Sequence, residues 1–163
     1  PLLTTLAAMH HSDDLAEGLS HYLSEVKDMA AVFKMAEKKP CLLLFDEPFN
    51  GTNSRERIAI AAAVLQYFAH SSSGKEPRGH ITLVASHDFE LLELLENTYK
   101  MYYFNEQVHP DGRLSFDYRL KEGRKVTRNA LELIKIEGFP GEVVDKANLI
   151  YQQMEDGVVV KKC

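Results

Sequence analysis

"LLLFDEPFNGTN", Leu42 to Asn53, runs four apolar residues straight into two adjacent carboxylates and then into a turn-forming cluster. With Cys41 in front, "CLLLF" is an unbroken apolar run, the pattern of a central strand in a parallel sheet covered on both faces. At the C-terminal end of such a strand, side chains open into the crevice where α/β sheets bind ligands. Asp46 and Glu47 are neighbours on an extended chain, so they point differently and suit different tasks. Hydrolysis of a nucleoside triphosphate needs that division. One carboxylate holds Mg²⁺, mainly through its water shell, because Mg²⁺ gives up water reluctantly. The other orients and deprotonates the water that attacks the γ-phosphate. Asp46 suits the metal and Glu47 the water. A turn-capping acid pair after any buried strand is the plain alternative, and the dipeptide alone does not separate the two.

The neighbouring segments read as alternating strands and helices. Upstream, Leu2 to Met9 is a short apolar strand and "HHSDDLAEGLS" a polar loop. From Ser20, Tyr22, Val26, Met29, Phe33 and Ala36 recur at helical steps. Lys38 and Lys39 suit the C-terminal dipole of that helix, and Pro40 stops it. Downstream, Asn53 is an N-cap with Glu56 three residues on. Ile58, Ala62, Leu65 and Phe68 mark the buried stripe of a second helix, and "HSSSGKEPRGH" (70–80) reads as a surface loop. "ITLVAS" (81–86) is a second apolar strand running into His87. If the two strands are adjacent, His87 stands beside the carboxylates, where an imidazole can hydrogen-bond a γ-phosphate. A helix follows from about Phe89 to Glu96. Strand and helix in strict alternation imply a parallel sheet with right-handed crossovers.

Beyond residue 100 the texture changes. "KMYYFNEQV" and "RLSFDYRL" flank "HPDG" and read as an antiparallel hairpin. Two closing helices follow, marked by Ala130, Leu131 and Ile134 and by Val143, Ala147 and Ile150, with "GFPG" as the break between them. The expected organisation is one domain over 1–155 and a flexible tail over 156–163.

Composition narrows the classes. The 163 residues are 45% hydrophobic and 26% charged, with a net charge of −5. A domain that grips a DNA backbone by itself is usually basic, so DNA contact is expected elsewhere in the parent protein. No apolar run reaches the ~20 residues that span a bilayer, so no membrane role is expected. Cys41 and Cys163 make neither a disulfide framework nor a zinc site, and a reducing cytoplasm is the simpler setting. A chain that opens on Pro1 without a signal peptide reads as part of a longer protein.

"LLLFDEPFNGTN" followed by "LVASHDFELL" resembles the Walker B, D-loop and switch-histidine segments of ABC-type ATPases, and within that class the MutS family of DNA mismatch repair proteins. "DDLAEGLSHYLSEVKDMAAVF" resembles the family's segment before Walker B. "YRLKEGRKVTRNALELIKIEGFPGEVVDKA" resembles the strand and helix pair that close its ATPase domain. The likeness runs from about Asp13 to Ile150. Asn50 stands where the family usually has a basic residue, Thr127-Arg128-Asn129 replaces a Ser-Tyr-Gly triplet, and His21-Tyr22 follows Ser20 in place of Thr-Phe. These departures mark a divergent branch.

The resemblance implies a P-loop NTPase of ABC type: a three-layer sandwich with a mostly parallel sheet and an antiparallel hairpin. It implies ATP and Mg²⁺ as cofactors, Glu47 and His87 in catalysis and Asp46 on the metal. A helix N-terminus attracts phosphate through its free amides and dipole. In ABC-type ATPases the helix opened here by Ser20 faces the nucleotide of the opposite subunit. The resemblance therefore implies that Ser20, with Gly18 allowing close approach, completes a site across a dimer of MutS-like subunits, and that Thr52 and Asn53 lie at the same junction. Taken from the residues alone, Ser20 is equally a plain helix cap.

The phosphate loop that this chemistry requires, G-x-x-x-x-G-K-[ST], is absent from the 163 residues. Gly74-Lys75 is followed by Glu76 and lies in the surface loop. The expectation is therefore the C-terminal portion of an ATP-hydrolysing, DNA-dependent domain, inactive alone, that couples turnover to clamp changes on mismatched DNA. Two other readings stay open: a relative acting on recombination or branched DNA, and a non-catalytic dimerisation module.

Overall fold

The computed structural model describes residues 3–8, 21–73, 79–109, 111–125 and 129–155. The chain divides into two units, 1–100 and 101–163. In the first, β1 (Thr4–Ala8), α1 (His21–Ala36), β2 (Cys41–Asp46), α2 (Ser54–Ser73), β3 (Ile81–Ala85) and α3 (Phe89–Leu95) alternate as expected. The three strands form a parallel sheet in the order β1-β2-β3. β2 is the middle strand, with Leu44 opposite both Ala7 and Leu83, and Asp46 opposite Ala85.

Strand alternation divides β2 between two environments. Cys41, Leu43 and Phe45 are buried against the helices. Phe68 of α2 stacks on Phe45 at 6.0 Å and on Phe33 of α1 at 4.8 Å, and meets the His80 ring edge-on at 6.1 Å. Met29, Val32 and Ala36 of α1 and Ala61, Ala62 and Leu65 of α2 complete this core. Leu42 and Leu44 face the other way and are only half-buried. Their β3 partners Ile81 and Leu83 are 51% and 58% exposed. The sequence expectation is a strand covered on both faces; within the first unit, the described helices pack on the face that carries Cys41, Leu43 and Phe45.

α2 continues through His70 to Ser73, where the sequence reads a loop. No Gly or Pro interrupts the helix before Gly74, and the His70 ring reaches back to the Gln66 carbonyl at 2.7 Å. α3 packs on α2 through the buried Leu91 and Leu95. Just after it, the Tyr99 hydroxyl donates to the Leu65 carbonyl at 2.9 Å. Burial pushes the Tyr99 phenol above its ordinary value, opposed by a hydrogen bond with Thr82.

The second unit carries the expected hairpin in two parts. β5 (Glu106–Val108) pairs with β6 (Leu114–Phe116), and β4 (Tyr102–Tyr103) with β7 (Lys121–Glu122), both antiparallel. Two residues separate the ladders on one arm and four on the other, Asp117 to Leu120, so the second arm bulges, with Tyr118 at φ 52°. Asp117 closes the bulge by accepting from the Lys121 ammonium and the Arg119 N–H, which hold its carboxyl below the usual range. At the hairpin tip Gly112 has φ 82° and donates its N–H to the His109 carbonyl at 2.9 Å.

α4 (Asn129–Ile136) ends where Gly138, at φ 79°, lets the N–H groups of Gly138 and Phe139 return to the Lys135 and Ile134 carbonyls. That is the Schellman arrangement of a helix C-terminus. α5 (Gly141–Glu155) starts as Val143 and Val144 donate their N–H groups to the Pro140 carbonyl, so "GFPG" breaks the helices as read. The apolar stripe of α5 is rotated from the reading: Val144 is the buried residue, and Val143 and Ile150 are exposed. The expected tail, 156–163, lies outside the described residues.

Candidate functional site

β2 delivers the acid pair. Its alternation buries Phe45 and leaves the Asp46 carboxylate exposed at the end of the strand. Glu47 still donates its N–H to the Ala85 carbonyl of β3 at 3.0 Å, but its φ is 46°. The chain therefore leaves the strand abruptly, and the Glu47 side chain turns back over the end of β3. There its Oε1 accepts the His87 backbone N–H at 2.8 Å and its Oε2 accepts the Ser86 hydroxyl at 3.2 Å. The His87 Nε2 lies 3.6 Å from Oε1, on a side chain that is fully exposed, while Glu47 is 24% exposed.

The turn that follows is strained and anchored. Phe49 has φ 65°, a second non-glycine residue in the left-handed region within three positions. Each such residue costs roughly 1–3 kcal/mol and persists where its surroundings over-determine it. Pro48 and Phe49 are buried and hold the turn down by packing. The next two N–H groups, of Asn50 and Gly51, donate to the two carboxylate oxygens of Glu25 on α1 at 3.2 and 3.0 Å.

α2 then begins with the cap read from the sequence. The Asn53 Oδ1 accepts the Glu56 N–H at 3.1 Å, and the Glu56 carboxylate turns to the Thr52 hydroxyl at 3.1 Å. One turn in, Arg57 donates from Nε and Nη2 to both oxygens of Asp88, at 2.9 and 2.6 Å, and from Nη1 to the Asn50 side chain at 2.9 Å.

The fold therefore brings Asp46, Glu47 and His87 to one rim of the sheet, with Thr52 and Asn53 in the turn beside them. Ser20 and Gly18 lie outside the described residues. Four contributors were not singled out from the sequence: Glu25, Ser86, Arg57 and Asp88. Ser86 and Asp88 flank His87, so proximity was their available signal. Glu25 and Arg57 act across 25 and 31 positions of chain, which no local pattern encodes.

Among the described residues no group of three or more His, Cys, Asp or Glu is arranged to hold a metal ion. One exposed carboxylate beside a second suits Mg²⁺, which keeps several waters and takes only one or two carboxylates together with substrate phosphate oxygens. No helix among the described residues is long and apolar enough to cross a membrane.

Residues 3–155 match the model of the family described as MutS domain V. The chain is 32% identical over 144 residues to the DNA mismatch repair protein MutS of Aquifex pyrophilus, covering 88% of this chain and 16% of that protein. It is 31% identical over 152 residues to the protein of the same name from Caldicellulosiruptor bescii, covering 93% of this chain and 17% of that one. The chain thus spans about a sixth of the length of the curated relatives it matches. It belongs to the MutS domain V family.

Proposed function

We propose that this chain supplies the Walker B half of an ATP-hydrolysing site in a MutS-like protein of DNA mismatch repair, on a P-loop NTPase scaffold of ABC type. Residues 1–155 form the C-terminal portion of one ATPase domain in this reading. The observation that supports it best is the Glu47 carboxylate, folded over the end of β3 and held there by the Ser86 hydroxyl and the His87 N–H.

A carboxylate offers about four lone-pair sites. The bonds from Ser86 and His87 leave Glu47 capacity to accept a proton from an attacking water while fixing its orientation. Asp46 would hold Mg²⁺. Bound there, the ion would offset negative charge on the β- and γ-phosphates. His87, with its ring in solvent, is free to swing onto a γ-phosphate oxygen. Ser20 and Gly18, with Thr52 and Asn53, would meet the nucleotide of a second MutS-like subunit, so that ATP favours the closed dimer and its loss releases it. The net charge of −5 is consistent with DNA being gripped by other parts of the protein.

No phosphate loop occurs in these 163 residues, so in this reading it comes from the rest of a protein about six times longer. The test compares phosphate release by the protein carrying this chain with that by the 163-residue chain alone. Mg²⁺-dependent turnover from the first and none from the second is expected. Absence of Mg²⁺-ATP turnover from the full-length protein contradicts the proposal.

A further inference from the structure

We propose that Arg57 is a positioning residue: through Asp88 and Asn50 it latches the turn after the acid pair to the loop that carries His87. The inference rests on the reading of Glu47 as the residue that orients the attacking water. It extends that reading to a residue on α2 whose head group touches neither Glu47 nor His87 in the described contacts.

Three observations carry it. The Arg57 guanidinium uses three nitrogens on two separate segments, a bidentate pair to the Asp88 carboxylate and a single bond to the Asn50 side chain. Both partners of the ion pair are largely sheltered, with Arg57 20% and Asp88 14% exposed, so the pair is screened less than one on an open surface. Asp88 occupies the N-cap position of α3, where an aspartate ordinarily accepts a backbone N–H of its own helix, yet its side chain makes no cap bond. Its carboxylate serves Arg57 instead.

The consequence reaches Glu47 along a short chain of bonds. Asp88 donates its N–H to the Ser86 hydroxyl oxygen at 3.1 Å, and that hydroxyl donates to Glu47 Oε2. His87, between them, donates its N–H to Glu47 Oε1. The segment 86–88 is thus fixed at one end by β3 and at the other by Arg57, and it grips both oxygens of Glu47. On the opposite side Arg57 holds Asn50, whose own N–H is held by Glu25. The two left-handed residues of the turn, Glu47 and Phe49, lie between these fixed points. Loss of the latch frees both the turn and the loop, and displacement of a reacting group by about 1 Å costs up to about 100-fold in rate.

The test is steady-state ATP hydrolysis by the full-length protein with Arg57→Ala, Arg57→Lys, Asp88→Ala and the Arg57→Ala/Asp88→Ala pair. For Arg57→Ala, kcat is expected to fall about 10- to 100-fold with KM for ATP within about twofold, since uniform binding is not what is removed. A lysine lacks the planar fork, so Arg57→Lys keeps the fold and recovers only part of kcat. The double variant should be no slower than either single one, the mark of residues acting as a unit. Wild-type kcat in Arg57→Ala, additive losses in the double variant, or an effect confined to a raised KM each overturn the inference. Glu47→Gln in the same assay separates the two readings. If it abolishes turnover while Arg57→Ala does not lower kcat, only the latch fails. If Glu47→Gln turns over normally, the role of Glu47 fails, whatever Arg57 does.

Discussion

Glu47 and His87 are 40 positions apart in the chain and joined by a 2.8 Å hydrogen bond from the His87 N–H to the Glu47 carboxylate. The bond exists because β2 and β3 are adjacent and in a register that sets Asp46 beside Ala85, so the residues just past each strand end meet. The side chain of one and the backbone of the other fix the rim at which the proposed chemistry takes place.

Ser86 is the second support of that carboxylate. Ser86→Ala removes the hydroxyl that donates to Glu47 and accepts from Asp88. Stability should fall by about 1.5–3 kcal/mol, as for a lost hydrogen bond to a charged group, read as a lower denaturation midpoint in urea. In the full-length protein kcat for ATP should fall severalfold while Ser86→Thr, which keeps the hydroxyl, stays near wild type.

Phe68 joins both helices to the sheet. It is almost wholly buried and stacks on Phe33 and Phe45. Phe68→Ala should destabilise the fold by about 3–5 kcal/mol, and Phe68→Leu by clearly less, measured by chemical denaturation followed by far-UV circular dichroism.

Much of this was legible in the chain. Unbroken apolar runs ending in Phe45 and Ala85, each before polar residues, marked parallel strands, and Asn53 with Glu56 marked the start of α2. Helical spacing found Phe68 and Leu65 but misjudged α5, where Val144 is buried and Val143 is not, because a stripe of period 3.6 fixes a face only to within one position. Which face of β2 packs against α1 and α2 was not legible either, because "CLLLF" is apolar at every position. The Arg57–Asp88 pair was hidden for another reason. An aspartate before a helix reads as its cap, and nothing local shows that its carboxylate turns to another helix.

Asn53 tests the capping reading. Asn53→Ala removes the acceptor for the Glu56 N–H at the start of α2. The expected loss is about 1 kcal/mol, with Asn53→Asp close to wild type, both measured by thermal unfolding.

Tyr99 gives a pH signature. Its phenol is raised above the ordinary value of 10.0, chiefly by burial. The folded state therefore keeps a proton that the unfolded chain releases, and stability declines as pH rises. The contribution is complete below pH 10 and is lost as pH climbs through the raised folded value. Denaturation midpoints of wild type and Tyr99→Phe, measured from pH 8 to 11, should show a steeper alkaline decline in the wild type. Parallel slopes would contradict the assignment.

The most direct measurement is ATP binding and hydrolysis by the full-length protein carrying Glu47→Gln, which keeps the shape of the side chain and removes its basicity. The account predicts nucleotide binding near that of wild type and turnover reduced by about 100-fold or more, the contribution typical of general-base catalysis. Turnover equal to wild type, with binding intact, would contradict it.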